Sequence, residues 1–121
     1  MEVKIDTKEK LHVITVVEDK LSANMTEELG KTLLEYLEKP IKNVVLDFEN
    51  VTEMDEISAT TLLNVQQAFY DAGSSMVFCQ LQPQMEDLLE EKEFLEELNV
   101  TPTVSEAIDI VQMEEIEREF L

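Results

Sequence analysis

Cysteine, histidine, glycine and tryptophan are scarce or missing in this chain of 121 residues, which has one Cys, one His, two Gly and no Trp. The single cysteine, Cys79, cannot form an intramolecular disulfide framework and leaves no cysteine cluster for zinc. The two glycines, Gly30 and Gly73, are far apart, so the clustered glycines of a phosphate-binding loop are missing. The sequence therefore predicts neither a cofactor nor a metal site.

Long hydrophobic runs and basic residues are missing as well. No apolar run approaches the roughly 18 residues that a membrane-spanning helix needs. The first strand-like residues alternate and contain no apolar signal-peptide core, which predicts a cytoplasmic protein. The chain has 9 Lys and Arg against 28 Asp and Glu, a formal net charge of -19. Such a surface repels anionic membranes and nucleic acid phosphates, so we expect neither as a partner; the acids favour a basic partner or serve solubility.

The groups that nucleophilic catalysis needs are also few. A catalytic constellation combines a nucleophile, a base and a group that orients the base. His12, the one histidine, lies in a strand pattern, where a packed or solvent-facing ring is expected. Cys79 lies between Phe78 and Gln80 in another strand, where a small buried side chain is expected. The sequence therefore argues against an enzyme.

The first half of the chain predicts two strands, a helix and a third strand. The alternation of Val3, Ile5 and Thr7 in "EVKIDTK" predicts a half-buried strand, which forms a hairpin with "LHVITVV". In "SANMTEELGKTLLEYLEKP" the apolar residues recur at helical spacing, and Pro40 ends the helix. "NVVLDF" predicts a central strand covered on both faces. The candidate caps of the first helix are Ser22, Asn24 and Thr26, and its inward residues are Met25, Leu29, Leu33, Tyr36 and Leu37.

The second half predicts three more helices. A second helix runs from about Ser58 to Ala72 and closes at Gly73. "SMVFCQL" is another buried strand, and "NVTPTV" is a short edge-like strand or a loop, since Pro102 cannot donate to a ladder. The predicted inward residues are Met85, Leu88 and Leu89 in the third helix, and Val104, Ala107, Ile108 and Val111 in the last.

The order of these elements, β-β-α-β-α-β-α-(β)-α, predicts an α/β fold. We expect a single-layer mixed β-sheet of about four to five strands with about four helices packed against it. The length predicts one domain, 1–121, whose residues from about 112 to 121 form a C-terminal helical extension. Ile116, Phe120 and Leu121 in this extension either pack on their own domain or dock another subunit.

One acidic stretch, "VTEMDEISATTLL", lies between two hydrophobic runs. It follows the predicted central strand and leads into the second helix. Asp55 is well placed to cap that helix through a side-chain oxygen, and Glu56 adds negative charge to the first turn. This structural role explains both acids without any function.

The same stretch resembles the STAS domain (sulfate transporter and anti-sigma factor antagonist). The likeness consists of the strand "VVLDFENV", then "MD", then a helix that begins within a few residues. It continues into "GSSMVFCQLQPQMEDLL", which is similar to the family's glycine, strand, proline-containing turn and short helix. The resemblance spans roughly Val3 to Val111, and it implies a STAS-like fold.

In the bacterial anti-sigma factor antagonists of this family the motif reads Asp-Ser-Ser/Thr-Gly-Leu. The serine after the aspartate is phosphorylated by a partner anti-sigma factor that is also a kinase. The resemblance places Asp55 on the aspartate, Glu56 on the phosphoacceptor, and Ile57 and Ser58 where the second hydroxyl and the glycine stand. A glutamate has no hydroxyl that can be phosphorylated as serine is, and it carries one negative charge where phosphoserine carries about -1.5 to -2. Glu56 is therefore either a fixed, weak imitation of the phosphorylated state or a sign that switching is lost.

The resemblance implies a non-enzymatic protein-interaction module that regulates a sigma factor or a related signalling pathway. We expect it to bind a protein partner such as an anti-sigma factor, which in this family can be kinase-like, and to be a monomer or homodimer. The expected partner-binding or regulatory residues are Asp55, Glu56, Ile57, Ser58 and Thr61.

Three alternatives stay open. Ser58, Thr60 or Thr61 can serve as a neighbouring phosphoacceptor instead of position 56. A small-ligand or nucleotide-binding module is the second alternative, although the charge of -19 opposes a phosphate ligand. The third is a structural subunit of a regulatory assembly, in which the apolar residues near the C-terminus dock a neighbour.

Overall fold

The computed structural model describes residues 1–120 and contains seven strands and four α-helices in this range. A single 3-10 turn, Tyr36–Glu38, follows the first helix. In chain order the elements are β1 (Val3–Thr7), β2 (Leu11–Val16), β3 (Lys20–Leu21), α1 (Ala23–Glu35), β4 (Asn43–Asp47), β5 (Glu53–Met54), α2 (Glu56–Asp71), β6 (Met76–Cys79), α3 (Pro83–Glu91), β7 (Val100–Thr101) and α4 (Val104–Glu119).

The main sheet has five strands in the spatial order β1-β2-β4-β6-β7. β1 and β2 form an antiparallel hairpin, whereas the pairs β2–β4, β4–β6 and β6–β7 are parallel. The parallel pairs are joined by helices because a parallel pair needs a long crossover connection, while a tight turn suffices for a hairpin. The predicted α/β fold, with one mixed sheet and four helices, is confirmed.

Helices cover both faces of the sheet, and the strand sequences show why. Val44 and Leu46 of β4 belong to the larger core cluster with residues of α1, α2 and α3. Val45 between them belongs to a second cluster, with Ala107 and Val111 of α4. Because successive strand residues point to opposite faces, a strand covered on both sides must be apolar throughout. This explains the continuous apolar run that predicted β4.

Helices α1 and α2 lie side by side and approach closely at Gly30. A Cβ atom at Gly30 would lie 3.2 Å from Cγ2 of Val65 on α2, closer than an ordinary van der Waals contact. The glycine of α1 therefore has a packing role, which the sequence alone suggested only as a small cost in helix propensity.

Four details of the sequence-based description are wrong or incomplete. β1 was expected to have one buried face, but only Val3 is partly buried and Ile5 is exposed, because β1 is the edge strand. α2 begins at Glu56, earlier than the predicted Ser58. Leu88 of α3 is only half buried, and the pair β3–β5 was not predicted at all.

The predicted C-terminal extension is part of one continuous helix, since α4 runs from Val104 through Glu119. Ile116 and Phe120 do not pack on their own domain: 55% of Ile116 and 84% of Phe120 are exposed. Leu121, the third apolar residue of this group, lies outside the described residues. None of the helices within residues 1–120 is both long and apolar enough to cross a membrane.

Candidate functional site

The acidic stretch forms the junction between β4 and α2, and a short strand pair supports it. After β4 the chain buries Phe48 and Val51 in the core, then enters β5, which pairs in parallel with β3. α1 begins two residues after β3, and α2 begins two residues after β5. The pairing therefore brings the N-terminal ends of the two helices to the same region of the surface.

Asp55 caps α2, as the sequence predicted. The backbone N–H of Ser58 donates a hydrogen bond of 2.7 Å to Oδ1 of Asp55. This hydrogen bond from the Ser58 backbone holds the pKa of Asp55 below its ordinary value of 3.8. The carboxylate at the helix start is therefore ionised at neutral pH and is stabilised by the helix that it caps.

Glu56 and Ile57 form the exposed first turn of α2. Oε2 of Glu56 lies 3.4 Å from Nζ of Lys92, at the end of α3. Both side chains are exposed, and a surface pair of this kind contributes little stability. Ile57 is 66% exposed, so most of its apolar side chain faces the solvent. The turn thus presents an apolar side chain beside two carboxylates.

The three hydroxyl residues of α2 are placed differently. Ser58 is fully buried, and its Oγ donates to the carbonyl of Leu21 at 3.4 Å. Thr61 is half buried, and its Oγ1 donates to the carbonyl of Ile57 at 3.0 Å. Thr60 is exposed, and its Oγ1 donates to the carbonyl of Glu56 at 3.2 Å. Among the three candidate phosphoacceptors, only Thr60 presents its hydroxyl on an exposed residue.

Ser58 lies where the first turn of α2 meets β3. It packs against the β3 backbone with no exposed surface. A small side chain is required where helix and strand approach this closely. Ser58 therefore helps to hold the first turn in place, whereas Asp55, Glu56 and Ile57 face the solvent.

His12 and Cys79 are packed in the interior. His12 is 8% exposed; its Nε2 lies 3.1 Å from the carbonyl of Ile41 and its Nδ1 lies 2.8 Å from Oγ1 of Thr7. A carbonyl only accepts, so Nε2 donates, and in the neutral ring Nδ1 then accepts from the hydroxyl. Cys79 has no exposed surface, and burial raises the pKa of its thiol to about 12. Both side chains are therefore part of the packed interior of the domain.

The surface beside the helix start does not suit a phosphate. A cavity of about 260 Å³ lies there, and its one basic lining residue, Lys20, is paired with Glu53 at 3.4 Å. Within residues 1–120, no three His, Cys, Asp or Glu side chains converge as a metal-binding group.

Sequence reasoning missed two residues that shape this surface. Lys92 reaches Glu56 from the end of α3, and Leu21 supplies the carbonyl that binds Ser58. Both lie more than thirty residues from their partners in the sequence. No local pattern relates positions so far apart, so no signal in the single sequence could have identified them.

A comparison with protein-family models matches residues 3–107 to the STAS domain. No curated protein matches the sequence. The matched range includes all elements from β1 to the first turn of α4 and contains the whole candidate site.

Solved structures of similar fold include three bacterial proteins. An anti-sigma-factor antagonist (STAS) domain protein from Planctomyces limnophilus is 17% identical, with a TM-score of 0.77 over 91% of this chain and 97% of that one. RsbS from Moorella thermoacetica, in a form in which glutamate replaces a serine, is 17% identical, with a TM-score of 0.76 over 98% of this chain and 99% of that one.

The third protein is the anti-sigma factor antagonist SpoIIAA of Bacillus, which is 15% identical. Its unphosphorylated form gives a TM-score of 0.72 over 92% of this chain and 96% of SpoIIAA. Its phosphorylated form gives 0.65 over 91% and 99%. At these identities the likeness concerns the fold, and it confirms the SpoIIAA-type arrangement of one mixed sheet and four helices.

Proposed function

Because this chain belongs to the STAS domain family, we propose that it is a non-enzymatic protein-interaction module of the anti-sigma factor antagonist type. In this proposal it acts in the cytoplasm and regulates a sigma factor or a related pathway. It binds a protein partner, such as an anti-sigma factor, through the Asp55 loop and the first turns of α2.

The observation that carries the proposal is the exposure of Ile57, which is 66%. Large apolar side chains that gain burial on binding supply much of the affinity of protein interfaces. Ile57 follows the capping residue Asp55 on an ordered helix, so it is presented without the cost of ordering a loop. The neighbouring carboxylates of Asp55 and Glu56 favour a partner with basic groups around its apolar pocket.

Position 56 defines how this module differs from a phosphorylation-switched antagonist. Glu56 is exposed in the first turn of α2, where a negative charge is favourable. Its charge is permanent, and it is partly neutralised by Lys92. We therefore propose that phosphorylation at position 56 does not control binding, and that the partner tolerates or requires the fixed charge.

The test is affinity capture from the native cell followed by titration of the captured regulator with purified variants. Ile57→Arg removes the apolar contact and adds a positive charge beside the two carboxylates, so we expect the affinity to fall by at least roughly tenfold. Glu56→Lys should weaken binding as well. Ile5→Arg is the matched control, because Ile5 is another exposed isoleucine, 50% exposed on β1. Equal affinities for all three variants would remove the site claim.

The exposure of Thr60 favours a second candidate, a kinase substrate that is modified one turn along α2 from Glu56. Mass spectrometry after incubation of the chain with ATP and a kinase-type anti-sigma factor from the same cell distinguishes the two. Phosphate on Thr60, absent from a Thr60→Val variant, would support the second candidate. An unmodified chain that still binds its partner supports the first.

A further inference from the structure

Helix α4 has apolar side chains on two opposite faces. One face, which includes Ala107 and Val111, is buried against the sheet. On the other face Met113, Ile116 and Phe120 are 60%, 55% and 84% exposed. Their spacing of three and four residues places them in one stripe along the last two turns. We call these three residues the α4 stripe.

The α4 stripe differs from scattered surface apolar residues because its members follow one another along one face of the helix, and one of them, Ile116, borders a concave surface. Ile116 also lines a cavity of about 360 Å³ between α4 and the β1–β2 turn, together with Leu11 and Ile108. The charged rim is largely paired already, by Lys10 with Glu119 at 3.8 Å and Arg118 with Glu115 at 2.9 Å. A contiguous apolar patch next to a cavity is the usual form of an interaction surface.

The charges of α4 select the kind of partner. The helix contains six acidic residues and one basic residue, Arg118. Two of these acids are already paired, Glu115 with Arg118 and Glu119 with Lys10. Among the described residues, the exposed acids Glu106, Asp109 and Glu117 of this helix form no ion pair. Two copies packed through the α4 stripe would bring these acidic helices together, and such like-charge contacts are costly. A basic partner gains from the same charges.

We propose that the α4 stripe is a second docking surface and that its occupant is a basic amphipathic helix of another protein. The apolar face of that helix covers Met113, Ile116 and Phe120, and its lysines or arginines face the acids of α4. Helices that lay an apolar face on an exposed apolar surface are a recurrent mode of recognition.

This surface lies on the opposite side of the sheet from the Asp55 site. α4 packs on the second core cluster, whereas α2 packs on the first. A partner on α4 therefore does not cover Ile57, and the chain can hold two proteins at once. The proposal does not depend on the function assigned to the Asp55 site.

The test uses the full chain and a labelled synthetic peptide that forms an amphipathic helix with leucines on one face and lysines elsewhere. Fluorescence anisotropy measures its affinity for the wild type, for Ile116→Glu and for Ile5→Glu. The two isoleucines are similarly exposed, 55% and 50%, so the variants are matched in chemistry and in added charge. Met113→Glu is a second variant of the α4 stripe, and circular dichroism checks that every variant melts like the wild type.

The added carboxylate distinguishes specific docking from general electrostatic attraction. General attraction of a cationic peptide increases with the negative charge of the chain, whereas specific docking is lost when the apolar contact is removed. We expect Ile116→Glu and Met113→Glu to weaken binding by at least roughly tenfold, and Ile5→Glu to leave it unchanged or slightly tighter. Equal or tighter binding to the α4 variants would overturn the proposal, as would equal affinity for a peptide with glutamates in place of lysines. A wild-type dimer in sedimentation that Ile116→Glu dissociates would show that a second copy covers this face instead.

Discussion

Asp55 and Glu56 are adjacent carboxylates at the start of α2, but they interact with different groups. Asp55 accepts a hydrogen bond from the backbone of its own helix, so its charge serves the fold. Glu56 makes only a surface pair with Lys92, so its charge is available to a partner. The fold therefore favours a side chain at position 55 that can accept this hydrogen bond, whereas position 56 is free to be set by binding.

Replacement of Asp55 tests this division. Asp55→Asn keeps an oxygen that can accept from the Ser58 N–H, whereas Asp55→Ala removes it, so we expect the melting temperature to decrease from wild type to Asn to Ala at neutral pH. Glu56→Gln, which removes the neighbouring charge, is the control and should change the melting temperature least. An Asp55→Ala variant as stable as the wild type would contradict the capping role.

The pH dependence of stability gives a second measurement on the same residue. The pKa of Asp55 is lower in the folded chain than its ordinary value of 3.8, so the unfolded chain takes up the proton first as the pH falls. The contribution of the charge is complete above the ordinary value and is lost as the pH decreases through the lower, folded value. The difference in melting temperature between the wild type and Asp55→Asn should therefore shrink as the pH falls below the ordinary value of 3.8.

At the scale of elements, the site depends on two contacts between parts distant in sequence. β3 pairs with β5 and aligns the starts of α1 and α2. Further along the two helices, Gly30 allows α1 to approach Val65 of α2. The first turn of α2 is therefore held by its neighbours as well as by its own cap.

Enlargement of Gly30 should separate the two helices. Gly30→Leu places a side chain where even a Cβ would lie 3.2 Å from Val65, and we expect a loss of about 1–3 kcal/mol in the free energy of unfolding. Thr32→Leu, at an exposed position of the same helix, should change it by less than about 0.5 kcal/mol. Urea denaturation measures both. Equal free energies for the two variants would show that α1 and α2 tolerate a wider spacing.

The sequence correctly predicts the elements in which a pattern of apolar residues extends over several positions. The continuous apolar run of β4 and the helical spacing in α1 reflect burial that local residues encode, so both were predicted correctly. β3 and β5 are two residues each, too short for any period to show. The exposure of Ile5 depends on where the sheet ends, and that of Ile116 depends on which face of α4 meets the sheet. Both are properties of the tertiary arrangement, which a single sequence does not specify.

The candidate site shows the same limit. The capping role of Asp55 could be predicted from its position between a strand and a helix. The contact of Glu56 with Lys92 and the burial of Ser58 could not be predicted, because each depends on how α3 and β3 pack around α2.

At the scale of the whole molecule, the sheet separates two exposed apolar features. Ile57 lies at the start of α2, in the layer formed by α1, α2 and α3, and the α4 stripe lies on the other side. The net charge of -19 opposes association between copies of the chain through these apolar groups and favours basic partners. This arrangement suits a small module that acts by binding.

The most direct test of the central claim is hydrogen exchange of the chain with and without its captured regulatory partner. A partner that binds through the Asp55 loop should slow exchange in residues 53–64, which include β5 and the first half of α2. Ile57→Arg should abolish this protection, and Ile5→Arg should leave it. Protection confined to other parts of the chain, or protection of 53–64 that persists in Ile57→Arg, would contradict the account.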